Sequence, residues 1–268
     1  MKTSKSLENF QHPIHNNKDF YLNNPKISKK IMGEIFNAID NYDIDNLKEL
    51  LNNITDINII NEALRNAVEL SDFDIIKYLV EEKGANLNYY NNYALIITAA
   101  FDNFVDLLKY YENKGIDIHY RNDLALRLSA NNGNTNILKY LIKRGANIHT
   151  YDEYALRHSA QEGYLDIVKI LIKNGADIHA KNDYALISSA KNGHYKIVKY
   201  LIENGANIHA NNDLALYYSI KKDYQKITDY LIKNGANKND AIKNKNNNIK
   251  TYSNKGFLMP YNLRKSIK

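Results

Sequence analysis

Apolar positions along this chain fall into two alternating helical patterns, and residues 183–212, DYALISSAKNGHYKIVKYLIENGANIHANN, show both. Ala185, Leu186, Ser189 and Ala190 lie at helical spacing on one face, where small side chains let a neighbouring backbone approach closely. Ile197, Val198, Leu201 and Ile202 then form the stripe of a second amphipathic helix. Asp183 is placed as N-cap of the first helix, and Gly193 breaks that helix. Gly205 stands just past the second, where a left-handed backbone favours glycine by about 1 kcal/mol. The predicted unit is helix, tight turn, helix, returning loop.

The unit recurs. Ala-Leu pairs stand at 63–64, 94–95, 125–126, 155–156, 185–186 and 215–216, and Gly84, Gly115, Gly145, Gly175, Gly205 and Gly235 follow a period of 30 or 31. Gly133, Gly163 and Gly193 form a second series with the same period, and residues 26–259 contain no proline. A degenerate copy around Ala38, Leu47, Leu50 and Leu51 precedes them. Seven units are expected, at 31–60, 61–91, 92–122, 123–152, 153–182, 183–212 and 213–241; the third slides by one residue around 96–98. Tyr42, Ser71 and Asp223 stand near the inter-helix turn of outer copies, where Gly is lost. Degenerate ends around regular middles suit terminal caps, which face water on one side.

The run GADIHAKNDYAL at 175–186, followed by SAKNGHYKIVKYLIENGA at 189–206, resembles the ankyrin repeat, most strongly at Gly193-His194, Ile197–Lys199 and Gly205-Ala206. The resemblance extends over about 210 of 268 residues. It implies an all-α, ankyrin-type α-solenoid of about seven stacked helix-turn-helix repeats that binds a protein on its concave face without catalysis. The period departs from the family's usual value of about 33, and Asp/Asn/Glu-x-Ala-Leu replaces the Thr-Pro-Leu-His tetrad. The missing residues fall where the family carries a β-hairpin finger, so trimmed loops are expected there. Asp123, Asp183 and Asp213 are expected to take over the capping role of the family's Thr, with nothing in place of its His. The short period and the composition resemble ankyrin arrays encoded by giant DNA viruses with AT-rich genomes, which implies a host protein as partner.

Composition narrows the chemistry. The 268 residues are 44% hydrophobic and 25% charged, as expected for a chain that buries a core. They include 22 Tyr and 41 Asn but no Trp. The absence of Cys removes disulfides, thiolate metal sites and thiol nucleophiles. No stretch approaches the roughly 18 apolar residues of a membrane span, and the first residues lack the apolar core of a signal peptide. The chain is therefore expected to be soluble, cytoplasmic and monomeric. It has no Gly-rich phosphate loop, nucleophile elbow or His-Glu-x-x-His helix, so neither an enzyme, a cofactor, a bound metal nor a small-molecule substrate is expected.

Charge is unevenly placed. The formal net charge is +6, yet residues 31–237 hold 22 basic and 27 acidic side chains, while 1–30 carry +4 and 238–268 carry +7. The organisation expected is a flexible basic leader (1–30), the solenoid (31–241) and a basic, disordered tail (242–268). Binding of nucleic acid or an acidic membrane through that tail alone is the rival to protein binding. Residues 258–267, LMPYNLRKSI, faintly resemble the opening of an F-box, a domain that needs several helices.

Positions that vary between otherwise similar repeats are the candidate partner contacts. Arg65, Arg127, Leu128, Arg157, His158, Ser188, Tyr217 and Tyr218 follow the Ala-Leu pairs, and Lys191 precedes a turn. The resemblance places them on the concave face, where Arg and Tyr make suitable anchors. His119, His149, His179 and His209 recur once per layer. Layers about 8–10 Å apart cannot share a metal held at about 2.1 Å, so these side chains are expected to bond loop backbone, as the family's Asn does there. Tyr78, Tyr110, Tyr140, Tyr200 and Tyr230 are expected to pack in the core with hydroxyls at water, rather than to stack on nucleic-acid bases.

Overall fold

The two predicted helices per unit are present throughout a computed structural model that describes residues 29–101 and 104–246. Seven helix pairs follow one another: α1 (Lys29–Asp40) and α2 (Ile44–Leu51), α3 (Ile57–Leu70) and α4 (Phe73–Glu81), α5 (Tyr89–Ala100) and α6 (Val105–Asn113), α7 (Tyr120–Asn132) and α8 (Thr135–Lys143), α9 (Thr150–Glu162) and α10 (Leu165–Lys173), α11 (Ala180–Lys191) and α12 (Tyr195–Glu203), α13 (Ala210–Lys221) and α14 (Gln225–Lys233). A single helix, α15 (Lys238–Asn246), ends the stack, and no strand occurs among the described residues. The boundary expected at 241/242 falls inside α15, whose Ala241 is buried against the stack. Most of the leader and the end of the tail, including the F-box-like residues, lie outside the described residues.

Side-chain size sets the shape. Ala125, Ser129 and Ala130 in α7, with Ala155, Ser159 and Ala160, Ala185, Ser189 and Ala190, and Ala215 and Ser219 in the next first helices, are all buried. Each of these buried serines donates to the carbonyl three residues back, as Ser189 Oγ does to Leu186 at 2.9 Å, so no hydroxyl is left bare. The odd-numbered helices therefore pack closely on one another, while the even-numbered ones, carrying Ile and Leu, touch their counterparts far less. A stack tight on one side and open on the other curves, with the odd-numbered helices on its inner face.

The turn inside each pair carries a double requirement. Gly133, Gly163 and Gly193 have φ of 86°, 91° and 82°, and a Cβ on them would sit within 2.9 Å of Tyr164, His194 and Tyr224 of the following repeat. Tyr42, Ser71 and Asp223 adopt the same left-handed conformation, at φ of 56°, 57° and 62°. The outer copies thus keep the turn without its glycine. The tyrosine column behaves as expected for packing: Tyr78 is buried, and Tyr110, Tyr140, Tyr200 and Tyr230 are partly buried against the core.

Candidate protein-binding face

The first turn of each inner helix from α5 to α13 passes through three consecutive left-handed residues. These are Tyr90-Asn91-Asn92, Arg121-Asn122-Asp123, Tyr151-Asp152-Glu153, Lys181-Asn182-Asp183 and Asn211-Asn212-Asp213, with φ between 52° and 60°. A left-handed residue other than glycine costs about 1–2 kcal/mol, least for Asn and Asp, which explains the residue types at the second and third places. The Asp residues expected as N-caps therefore have a different task. Their carboxylates are buried and accept a backbone N–H from the loop that leads into the next repeat: Asn147 on Asp123 at 3.1 Å, Asn207 on Asp183 at 2.7 Å and Asn237 on Asp213 at 3.0 Å. Asn61 Oδ1 accepts from Asn86 N–H in the same way, at 2.8 Å. Glu153, one methylene longer, points one oxygen at His149 and leaves the other buried without a hydrogen-bond partner among the described residues.

The histidine column completes these turns. Nδ1 of His119, His179 and His209 lies 2.6, 3.1 and 3.1 Å from the carboxylate four residues on. The imidazoles thus bond a side chain of their own turn, not the loop backbone that sequence reasoning assigned them. Between repeats, His194 Nε2 bonds the Gln161 carbonyl at 2.9 Å, and Asp183 supplies a second link, so the role left vacant by the family's tetrad is filled from two other positions.

Two arginines singled out as partner anchors also serve the turns. Arg127 donates to the carbonyls of Arg121 and Asn122, and Arg157 to those of Tyr151 and Asp152, at 2.7–3.3 Å. Each guanidinium also lies over an aromatic ring of the following helix pair, Arg127 at 4.4 Å from Tyr151 and Arg157 at 5.5 Å from Tyr184. Arg65 is held by Glu62 at 3.0 Å and Glu69 at 2.9 Å, whose carboxylates also accept from Tyr90 and Tyr93. Leu128, Ser188 and His158 are interior, and Tyr218 is 9% exposed. These four are packed inside the stack, because an inner helix is covered by both neighbours and by its own second helix. Of the nine expected contacts, Lys191 is exposed, Arg65, Arg157 and Tyr217 are half-buried, and Arg127 is buried.

What does face water is the row of turn tips, which sequence reasoning passed over. Tyr90-Asn91, Arg121-Asn122, Tyr151-Asp152, Lys181-Asn182 and Asn212 are exposed. Successive tips touch: Asn122 Nδ2 donates to the Tyr151 hydroxyl at 3.3 Å, and Lys181 pairs with Asp152 at 2.7 Å. The signal was present as the Asn/Asp pair before each inner helix.

A family model for ankyrin repeats (3 copies) matches residues 95–182 and 180–242. The chain belongs to the ankyrin-repeat family. No curated protein matches it. Ankyrin repeats are in general protein–protein interaction modules and are typically non-catalytic. In this ankyrin array a three-residue left-handed turn stands where the family has its hairpin finger, which accounts for the shorter period. Among the described residues no helix is long and apolar enough to cross a membrane.

One buried residue of the array sets a pH limit. His158 is 6% exposed and stacks on Tyr154 at 3.8 Å between centroids. Burial, with Arg157 adjacent, pulls its pKa down from 6.5 to about 4. A depressed folded-state value means that the unfolded chain binds the extra proton first. Stability is therefore complete above pH 6.5 and falls as pH drops toward 4. Urea unfolding should show about 2 kcal/mol of loss at this site between about pH 7 and pH 5, absent in His158→Phe. An unchanged pH profile in that variant would contradict the assignment.

Proposed function

We propose that the chain is a non-catalytic scaffold that binds a partner protein along the turn tips and the adjoining inner face. The observation that carries this reading is the pattern at the tips. Their first residues are Tyr90, Arg121, Tyr151, Lys181 and Asn211, mostly exposed and varied, on a turn whose second and third residues are Asn, Asp or Glu and whose following Ala-Leu pair is constant. A constant frame carrying variable, exposed side chains is how a repeat array acquires a specific partner. The hydrogen bond and ion pair between successive tips order these side chains before binding, which reduces the entropy lost on association. Tyr90, Tyr151, Arg121 and the half-exposed Tyr217 are the anchors of this surface, since Tyr and Arg carry most hot-spot energy.

The test is a triple variant, Tyr90→Ala, Arg121→Ala and Tyr151→Ala, compared with an outer-face control, Lys139→Gln. A partner captured by the wild-type chain should bind the control equally. It should bind the triple variant at least about tenfold more weakly, with helix content unchanged. Equal binding by all three would eliminate the tips as the contact surface.

A further inference from the structure

The near-neutral total of the repeats conceals a division along the stack. Residues 31–122 hold 7 basic and 16 acidic side chains, whereas 123–237 hold 15 basic and 11 acidic. A lysine-rich composition over the whole chain does not account for an acidic first part and a basic second part. Four of those 11 acids, Asp123, Glu153, Asp183 and Asp213, are buried in the turns, which makes the surface of repeats four to seven more basic than the count suggests.

The excess lies on the outer face. Helices α8, α10, α12 and α14 carry eight lysines against Asp166, Glu203 and Asp229, while α2, α4 and α6 carry three lysines against six acids. Lys139, Lys143, Lys173, Lys196 and Lys233 are exposed and have no ion pair or ring contact among the described residues. They recur layer by layer, at the spacing of about 8–10 Å between packed helices. Beyond α15, residues 247–268 add five basic side chains and no acid.

Three features select the partner. The outer face curves away from any rigid surface laid on it, whereas a flexible linear polyanion can follow it. The unpaired cations are all lysines, point charges that engage phosphates without a fixed geometry; the planar fork that bidentate recognition of carboxylate or phosphate uses is confined here to Arg144, which is already engaged by Glu112. The neighbouring rings of Tyr195 and Tyr200 lie under Lys226 and Lys169, and Tyr140 and Tyr230 are packed partly against the core, which favours contacts to the backbone over base stacking. We propose that the outer face of repeats four to seven binds single-stranded nucleic acid through its phosphates, without sequence preference. This surface is separate from the turn tips and does not depend on their having a protein partner.

The experiment is fluorescence anisotropy with the full chain and a labelled single strand of about 20 nucleotides, at salt between about 50 and 200 mM. Replacing the five lysines together by Gln should weaken binding at least about tenfold and flatten the slope of log K against log salt by about 3.5, at roughly 0.7 per lost contact. Replacing the same five by Arg should retain binding, which separates charge from folding. Polyglutamate of equal length should fail to displace the strand. Wild-type affinity in the Gln variant, loss of binding in the Arg variant, displacement by polyglutamate as effective as by unlabelled strand, or no binding by the wild-type chain would each overturn the proposal.

Discussion

Asp183→Ala is expected to destabilise the stack by about 4 kcal/mol, seen in urea unfolding as a lowered midpoint. The carboxylate accepts from Asn207 N–H at 2.7 Å and faces His179 Nδ1 at 3.1 Å. A hydrogen bond to a charged acceptor contributes about 1.5–3 kcal/mol, and its removal leaves the Asn207 N–H without its acceptor. Ala also tolerates a left-handed backbone less well than Asp, by about 1 kcal/mol. Asp183→Asn keeps both an acceptor oxygen and the backbone tolerance, so about half the loss is expected. Because repeats are coupled mainly through nearest-neighbour interfaces, the Ala variant should also let repeat seven and α15 unfold ahead of the rest. A loss no larger than that of an exposed acid such as Asp166→Ala would refute the inter-repeat role.

Two glycines of equal backbone conformation should differ sharply in their response to Ala. Gly163 has φ of 91° and Gly175 has φ of 93°. At Gly175 nothing lies within 4 Å of an added Cβ, so Gly175→Ala carries only the left-handed penalty, about 1 kcal/mol. At Gly163 the same atom would meet His194 Cε1 at 2.7 Å. Displacing that ring breaks its 2.9 Å bond to the Gln161 carbonyl, which raises the expected loss to about 3 kcal/mol. Thermal melts of the two variants check the difference. Equal shifts would mean that only backbone conformation selects glycine at 163.

The candidate contacts show why variation between repeats is an uncertain guide to exposure. Position 127 pairs across the repeat boundary with Tyr154, and Arg157 with Tyr184. At the equivalent positions, Ile96 and Leu124, and Ile187 and Leu214, are buried and apolar. Arg meets Tyr and Ile meets Leu, so an interior position changes together with its cross-repeat partner and resembles a specificity determinant in a single sequence. The turn tips carried the opposite disguise. Asn-rich and Lys-rich stretches are common throughout this chain, and they read as ordinary loop until their backbone conformation is known.

Helix pairs, their number, their period and the glycine turns were legible from the order of residues alone. Each depends on interactions within a few residues: amphipathic spacing, small-residue faces, and a left-handed residue where the helix ends. The left-handed triplets and the direction each variable side chain takes depend on residues about 24–30 positions away. Three such residues in succession are locally unfavourable. In three of the five a carboxylate reaches an N–H of the loop that leads into the next repeat, and in two an arginine bonds the turn carbonyls and rests on a neighbouring ring. Burial in a stack is a property of neighbours, so whether Arg127 or Lys181 meets solvent was settled by packing between layers.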